Sequence, residues 1–329
     1  MPQARISATG SYVPAKKLTN HDLETMVETS DEWITARTGI KERRIASKNQ
    51  ACSDLALKAA QSALTQRGIE PGELDLIIIA TVTPDTFVPS AACVLQEKLG
   101  ASKAAAFDVN AACSGFIYAL SVADSFIRSG QFQKVLVVGS EVLSKITNWQ
   151  DRSTCVLFGD GAGAVLVEPA KRTGGEGRIL SVNIHADGSK GDLLMIPAGG
   201  SKMPVSEETL KNGLHYLQMS GNETFKVAVK TLENLVLKTL EANGLEASQI
   251  ALLIPHQANL RIIKATAERL GIPMDRVAVN INKYGNTSAA SVPIALDEAA
   301  REGRLKRGDY VMLEAFGGGL TWASALLKW

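Results

Sequence analysis

The chain repeats itself, and that repeat limits the possible folds more than any single motif does. Ser62 to Arg67 ends a helical pattern at Gly68, and the strand-sized run Leu76-Ile77-Ile78-Ile79 follows. Lys238 to Asn243 does the same at Gly244, before Ile250-Ala251-Leu252-Leu253-Ile254. A glycine at such a place supplies the left-handed residue that closes a helix. Each copy continues with a loop, a helix and a Leu-Gly stop (Leu99-Gly100; Leu270-Gly271). A second strand comes next, Ala106 to Val109 and Val277 to Ile281. A further helix runs to Ser129-Gly130 or Glu302-Gly303, and a last strand closes each unit, Lys134 to Gly139 and Asp309 to Glu314. Strands alternating with helices predict an α/β protein of two pseudo-equivalent halves. The halves are expected over residues 1–172 and 173–329. They would meet in the Gly/Lys/Arg-rich stretch Pro169-Ala170-Lys171-Arg172-Thr173-Gly174-Gly175-Glu176-Gly177. A chance match of short apolar strands is the competing explanation.

The repeat places chemistry. Gly130 and Gly303 are 173 residues apart, and so are Cys113 and Asn286. The offset predicts one shared position, at a strand-to-helix turn, for the thiol of Ala111-Ala112-Cys113-Ser114-Gly115 and the amide of Tyr284-Gly285-Asn286-Thr287-Ser288. His256, in Pro255-His256-Gln257-Ala258-Asn259, follows the first strand of the second copy. Ligands of α/β sheets collect at the carboxyl ends of strands, where all three residues lie. A thiol with a His and an Asn is an arrangement for thioester chemistry, and a helix start favours the thiolate. The alternative is that Cys113 is inert core, as most buried cysteines are.

Composition narrows the function. With 35 Lys and Arg against 34 Asp and Glu, the net charge is +1, which argues against a general nucleic-acid binder. The first ten residues have no apolar run of signal-peptide type, and the apolar runs are too short to span a membrane. Four cysteines (52, 93, 113, 155) without Cys-x-x-Cys spacing suggest neither a disulfide framework nor a zinc site. A cytoplasmic protein without a metal is expected.

Other segments admit two readings each. Val156 to Ala164 carries several glycines without the dinucleotide fingerprint and reads best as a hairpin turn. Phe316-Gly317-Gly318-Gly319-Leu320 is either a flexible turn or a close backbone approach that aims an N–H at an oxyanion. Trp33, Arg37, Lys41, Arg43 and Arg44 form a solvated face or a grip on a nucleotide. Residues 186–215 lack periodicity and read as a surface excursion that helps shape an entrance. Papain-like proteases also order Cys, His and Asn, and the 143 residues from Cys113 to His256 fit their spacing. The local sequence Ala-Ala-Cys-Ser-Gly and the α/β repeat do not.

Taken together, these motifs resemble the β-ketoacyl-[acyl-carrier-protein] synthase III family of the thiolase superfamily, over nearly the whole chain. The matching segments include Asp31-Glu32-Trp33-Ile34, Arg37-Thr38-Gly39-Ile40, Ala112-Cys113-Ser114-Gly115-Phe116, Phe158-Gly159-Asp160-Gly161, Phe225-Lys226-Val227, Pro255-His256-Gln257, Gly285-Asn286-Thr287 and Glu314-Ala315-Phe316-Gly317. The resemblance implies a thiolase-like fold and the initiating condensation of type II fatty-acid synthesis. Cys113 would take the acyl group from acetyl-CoA or a longer acyl-CoA. His256 and Asn286 would hold the thioester oxygen of malonyl-carrier protein as carbon dioxide departs. The N–H groups of Cys113 and Gly318 would form the oxyanion hole. Thr29, Trp33, Arg37, Arg152, Gly221, Asn222, Phe225, Ala258 and Asn259 would bind CoA, with Trp33 and Arg152 flanking the adenine. Lys226, Gln257, Arg261 and Lys264 would dock the carrier protein. No cofactor is implied, CoA thioester being a substrate, and a homodimer is.

The chain departs from the family pattern in two places. Val88, next to Phe87, stands where an aromatic residue often closes the acyl pocket, so primers longer than acetyl are expected to fit unless Phe87 or another side chain fills the space. Glu268 stands at a basic position of the docking helix. A thiolase would need a second Cys near the C-terminal glycines, and none follows Cys155. A condensing enzyme of secondary metabolism and a cysteine hydrolase stay as alternatives.

Overall fold

The computed structural model describes residues 3–170 and 177–329. The N-terminal half runs β1 (Ala4–Tyr12), α1 (Asp31–Thr38), α2 (Cys52–Arg67), β2 (Leu76–Ala80), α3 (Ala91–Leu99), β3 (Ala105–Val109), α4 (Gly115–Ser129), β4 (Val135–Val142) and β5 (Asp160–Pro169). The C-terminal half runs β6 (Arg178–Ala186), α5 (Gly221–Ala242), β7 (Ile250–Pro255), α6 (Leu260–Arg269), α7 (Ser291–Arg301), β8 (Tyr310–Gly317) and β9 (Thr321–Lys328). Shorter turns and helices connect them. The expected division at residues 172 and 173 lies outside the described residues.

The strand orders carry the repeat. The first sheet is β1-β5-β4-β2-β3, with β2 parallel to both β3 and β4. The second is β6-β9-β8-β7, the same path with its last strand missing. Val277 to Ile281, expected as that strand, makes only a bridge from Val277 to Leu253, and Ile281 already starts a short helix. The reason is Gln257. Its buried side chain donates to Pro255 O and Ala278 O and accepts from the N–H groups of Asn280 and Ile281, so a side chain replaces the ladder.

Side chains alternate between two apolar layers, as strands buried on both faces require. Leu76, Ile78, Val135 and Val137 meet Leu252, Ile254, Val311 and Leu313 of the other sheet around α4 and α7. Ile77, Ile79, Leu136 and Val138 face outward onto α2 and α3. Leu253, Met312 and Leu326 face α5 and α6. The result is five layers, with one helix of each half in the middle. Each fully buried Leu, Ile or Val contributes about 1.5–3 kcal/mol, so this central layer holds the halves together. A polar clasp adds to it: the buried Asp297 of α7 accepts from Thr9 Oγ1 at 2.7 Å and Ser11 Oγ at 2.6 Å, both on β1.

The glycine-rich run expected as a hairpin turn lies instead mostly in the buried strand β5. A Cβ on Gly163 would sit 2.6 Å from Ile294 N and 2.7 Å from Pro293 C. The glycine is there so that α7 can lie directly on the strand. Residues 186–215 form the expected excursion, with a short helix at Glu207–Lys211 and a two-residue strand, Leu194–Met195, paired to Gln218–Met219.

Candidate active site

The central helices begin at matching turns. Ala112 has φ +46° and Ser288 φ +48°, and each starts a 3-10 turn that leads into α4 or α7. These starts are 176 residues apart, whereas the glycines after the helices are 173 apart. Gly115 to Gly130 spans 15 positions and Ser291 to Gly303 spans 12, so α7 is the shorter helix and the difference of three is absorbed there. The shared position expected for Cys113 and Asn286 is therefore corrected: by backbone geometry Cys113 matches Ala289, and Asn286 matches Asn110.

Both turns still converge on one centre. Cys113 is 7 % exposed, His256 6 % and Asn286 7 %. His256 leaves the end of β7, with its N–H on Glu314 O at 2.8 Å. The turn from Asn286 to Ser291 touches the other two members. Its Ser288 side chain hydrogen-bonds the Cys113 thiol, and its Ser291 hydroxyl lies 2.6 Å from His256 Nδ1. Asn286 is oriented by a local bond: Ser288 N–H can only donate, so the atom 2.8 Å away is Oδ1, and Nδ2 is left to donate elsewhere.

The N-terminal turn is pinned differently. Thr321 Oγ1 donates to Ala111 O at 2.8 Å, and Ser114 Oγ donates to Thr321 O at 3.1 Å. Gly317 has no side chain because a Cβ there would stand 2.6 Å from Cys113 N. The glycine run is thus a close approach, and it brings Gly318 beside Cys113, where the backbone N–H groups of both residues favour charge on the sulfur.

Electrostatics revises one expectation. Burial pushes the Cys113 thiol up to about 11, against hydrogen bonds from the Ser288 side chain and the N–H groups of Cys113 and Gly318. Position at a helix start does not make a resting thiolate, because desolvation outweighs it. Burial also lowers His256 to about 3, so its imidazole is neutral at physiological pH. Glu141, at the end of β4, is raised by burial to about 7 despite bonds from the Thr83 hydroxyl at 2.6 Å and the Val82 N–H at 3.2 Å.

A second group of expected residues gathers around α1 and the starts of α5 and α6. The guanidinium carbons of Arg37 and Arg152 lie 4.7 and 5.0 Å from the Trp33 ring centre. Thr29 holds a buried hydroxyl without a protein partner among the described residues. Asn259, before α6, donates to Arg37 O at 3.1 Å and joins α6 to α1. Ala258 precedes it, half-buried. Gly221, Asn222 and Phe225 form the first turn of α5, and the Arg261 guanidinium lies 5.3 Å from the Phe225 ring centre.

Three expectations fail on burial. Arg43, offered as part of a nucleotide grip, is 0 % exposed and donates inward to Leu18 O, Asn20 Oδ1 and Val156 O. Gln257, offered for carrier docking, is 1 % exposed and spends its amide on the missing strand described above. Phe87 and Val88, offered as the acyl pocket, are 86 % and 87 % exposed. Their loop projects into solvent, away from the apolar layers. Lys226, Arg261 and Lys264 are exposed as expected. Arg269 of the same face is tied to Glu233 at 2.6 Å.

Ser288, Ser291 and Glu141 escaped the sequence reading. Ser288 stands in the same motif as Asn286, Ser291 follows it by three residues, and an acid ending the apolar run of β4 was a visible signal for Glu141.

Comparison with known proteins decides the family. The 3-oxoacyl-[acyl-carrier-protein] synthase III model matches residues 107–188, and its C-terminal counterpart matches residues 240–329. A β-ketoacyl-[acyl-carrier-protein] synthase III of Caldanaerobacter subterraneus subsp. tengcongensis is 56% identical over 99% of this chain and 98% of its own. The chain belongs to the β-ketoacyl-[acyl-carrier-protein] synthase III family. It is an acyltransferase-type condensing enzyme with a thiolase-like fold. The crystal structure of the 3-oxoacyl-[acyl-carrier-protein] synthase III of Aquifex aeolicus superposes with a TM-score of 0.91 at 51% identity, covering 99% of this chain and 100% of the other. A priming β-ketosynthase of the R1128 polyketide biosynthetic pathway superposes at 0.90 with 35% identity, covering 99% and 97%. No helix among the described residues is long and apolar enough to cross a membrane.

Proposed function

We propose that this synthase joins an acyl-CoA to malonyl-[acyl-carrier-protein], giving 3-oxoacyl-[acyl-carrier-protein], CoA and carbon dioxide. The observation that carries the reading is the convergence, at one buried centre, of a thiol, two backbone N–H groups, a neutral imidazole and an amide turned to donate. The Cys113 sulfur attacks the acyl-CoA carbonyl as its proton leaves. The N–H groups of Cys113 and Gly318 hold the oxyanion, and CoA departs as the thiol. The malonyl C–carboxylate bond then breaks, carbon dioxide leaves, and its electron pair becomes an enolate. His256 and Asn286 donate to that enolate oxygen. The enolate carbon attacks the acyl-Cys113 carbonyl, the C–S bond breaks, and the sulfur takes up a proton. All of this draws on side chains and backbone alone, without a metal or a cofactor.

The cleft at Trp33, Arg37 and Arg152 suits a nucleotide, an aromatic ring and two cations being grouped there. Thr29, Gly221, Asn222, Phe225, Ala258 and Asn259 continue it toward the centre. The exposed cations Lys226, Arg261 and Lys264 suit an acidic carrier protein. Arg261→Glu is expected to raise the KM for malonyl-carrier protein a few-fold and to weaken its salt dependence, with acyl transfer from CoA much less affected. Equal damage to both half-reactions would indicate misfolding instead of a lost dock.

A homodimer is part of the reading. Strand β3 pairs on one side only, and Phe87 and Val88 are exposed apolar side chains that a second copy would cover. In that assembly they bound an acyl pocket of the neighbouring copy. Sedimentation equilibrium checks the dimer, and Val88→Phe checks the pocket by shifting primer preference toward acetyl. A cytoplasmic location fits four free cysteines.

The deciding experiment incubates the enzyme with a panel of acyl-CoA primers, reads acyl transfer by intact mass, then adds malonyl-carrier protein and measures carbon dioxide. A cysteine hydrolase would release free acid and no carbon dioxide. A second reading, a priming condensation of secondary metabolism, is favoured by the likeness to the R1128 ketosynthase. Turnover only with a polyketide carrier protein would select it.

A further inference from the structure

The Ser291 hydroxyl has one proton and two lone pairs. Its oxygen lies 2.6 Å from His256 Nδ1 and 3.3 Å from the Gln257 N–H, which can only donate to it. Ser291 and His256 are 2 % and 6 % exposed. If Nδ1 carried the ring proton, it would donate to the same oxygen and fill both lone pairs. The hydroxyl proton would then need a third partner, and no other hydrogen bond of this hydroxyl occurs among the described residues. If Nδ1 is bare, every atom is satisfied: the hydroxyl donates to Nδ1 and accepts from Gln257.

The fold adds a second argument. Ser291 is the first residue of α7, an 11-residue helix. The positive end of a helix favours a lone pair facing it and disfavours an N–H or a cation there. Nδ1 lies against that end, so the macrodipole and the hydroxyl ask for the same tautomer.

We propose that Ser291 is a positioning residue: its hydroxyl donates to Nδ1 and holds His256 as the Nε2–H tautomer, leaving that N–H to polarise the malonyl thioester. This rests on the reading of His256 given above. A ring with the other tautomer would turn a lone pair toward the developing enolate and repel it.

The first test needs no variant. The chain has four histidines (21, 185, 215 and 256), so a protein labelled with ¹⁵N-histidine gives few signals, and His256→Ala identifies the one in question. A protonated Nε2 and a bare Nδ1 in the wild type support the assignment, and a proton on Nδ1 overturns it. In Ser291→Ala the His256 signals are expected to move toward a tautomer mixture. Decarboxylation of malonyl-carrier protein is expected to fall at least about tenfold, short of the 10²–10³ for loss of a whole donor. Ser291→Thr, which returns the hydroxyl, is expected to recover both. A Ser291→Ala enzyme with wild-type tautomer and rate overturns the proposal even if His256→Ala is inactive. Normal decarboxylation by His256→Ala would instead overturn the role of His256, and the wild-type spectrum would still decide what Ser291 does to the ring.

Discussion

The two turns that open the central helices have the same backbone and opposite chemistry. Ala112 and Ser288 share a left-handed φ and lead into α4 and α7 through the same 3-10 step. The first turn presents a nucleophile. It is held from outside, by Thr321, which bonds Ala111 and Ser114, and by the approach of Gly317. The second carries no thiol and instead distributes hydrogen bonds: the Ser288 N–H to Asn286 Oδ1, the Ser288 side chain to the thiol, Ser291 to the imidazole. Duplication thus reproduces a backbone shape, and what each copy does is decided by the two or three side chains that face the cleft.

The largest expected effect tests whether shape alone makes the nucleophile. Cys113→Ala should take up no acyl group, while the wild type gains one acyl mass. Moving a thiol to the matching place, Ala289→Cys in the Cys113→Ala background, should not restore acylation. Ala289 is 0 % exposed, and its carbonyl lies where a Cβ on Gly139 would come within 2.3 Å. It faces the core between the sheets. Acylation of the thiol introduced at position 289 would mean that the two turns are interchangeable. Acylation mapping to Cys52, Cys93 or Cys155 would move the nucleophile elsewhere.

The second turn is tested by removing donors. His256→Ala and Asn286→Ala should each lose about 10²–10³ in decarboxylation of malonyl-carrier protein, the cost of one oxyanion donor. Acyl transfer to Cys113 should fall much less, since its oxyanion is held by backbone N–H groups of the first turn and the glycine run. Equal losses in both half-reactions would erase the division of labour between the turns.

How much of this could be read from residues follows from what the repeat conserves. The succession of strands and helices, the strand-to-helix turns that carry Cys113, His256 and Asn286, and the close approach at Gly317-Gly318 were legible, because apolar runs, helix-stopping glycines and short motifs are local signals. The offset of 173 misled, since it compared helix ends while the active centre sits at helix starts; three residues lost from α7 do not show in a glycine count. Gln257 misled for another reason. A polar residue beside a catalytic His looks like surface, and only the absent fifth strand explains why its amide is buried. Phe87 and Val88 are apolar in sequence and exposed in the chain, since apolarity alone does not separate a core position from a projecting loop. The resting state of Cys113 also needed the structure: a helix start is visible in sequence, and the depth of burial that overrides it is not.

The pH dependence separates the turns more finely. Burial pushes Cys113 up to about 11, so with thiolate as the nucleophile acylation should rise with pH between pH 6 and 8, by less than about tenfold per unit because Glu141, raised to about 7, ionises in the same window and opposes the thiolate. His256, lowered to about 3, stays neutral over that range and so contributes no inflection to decarboxylation by the pre-acylated enzyme. Single-turnover acylation followed by mass, and carbon dioxide release measured separately, resolve the two profiles. An acylation rate level across pH 6–8 would mean that the proton is removed within the reaction step by a group of the site and not by prior ionisation.

The smallest expected effect concerns the pins of the first turn. Thr321→Val keeps the shape of the side chain and removes the hydroxyl whose one proton goes to Ala111 O at 2.8 Å, with Gly318 O 3.1 Å from the same oxygen. A carbonyl left without its donor in a buried setting costs about 1–3 kcal/mol. In a chain of this size that is a fall of a few degrees in Tm. The two carbonyls flank the Cys113 and Gly318 N–H groups, so the loss should also appear as a modest drop in acylation, with decarboxylation by His256 and Asn286 nearly intact. Ser288→Ala probes the other side: it removes a bond to the thiol without touching the Thr321 pins, and its effect on acylation should not depend on whether Thr321 is present. Double-mutant coupling near zero between Thr321→Val and Ser288→Ala would show that the Cys113 turn is held by two independent supports, one from the start of β9 and one from the second turn. Strong coupling would show a single network, and the contrast between the turns would then be one of sequence only.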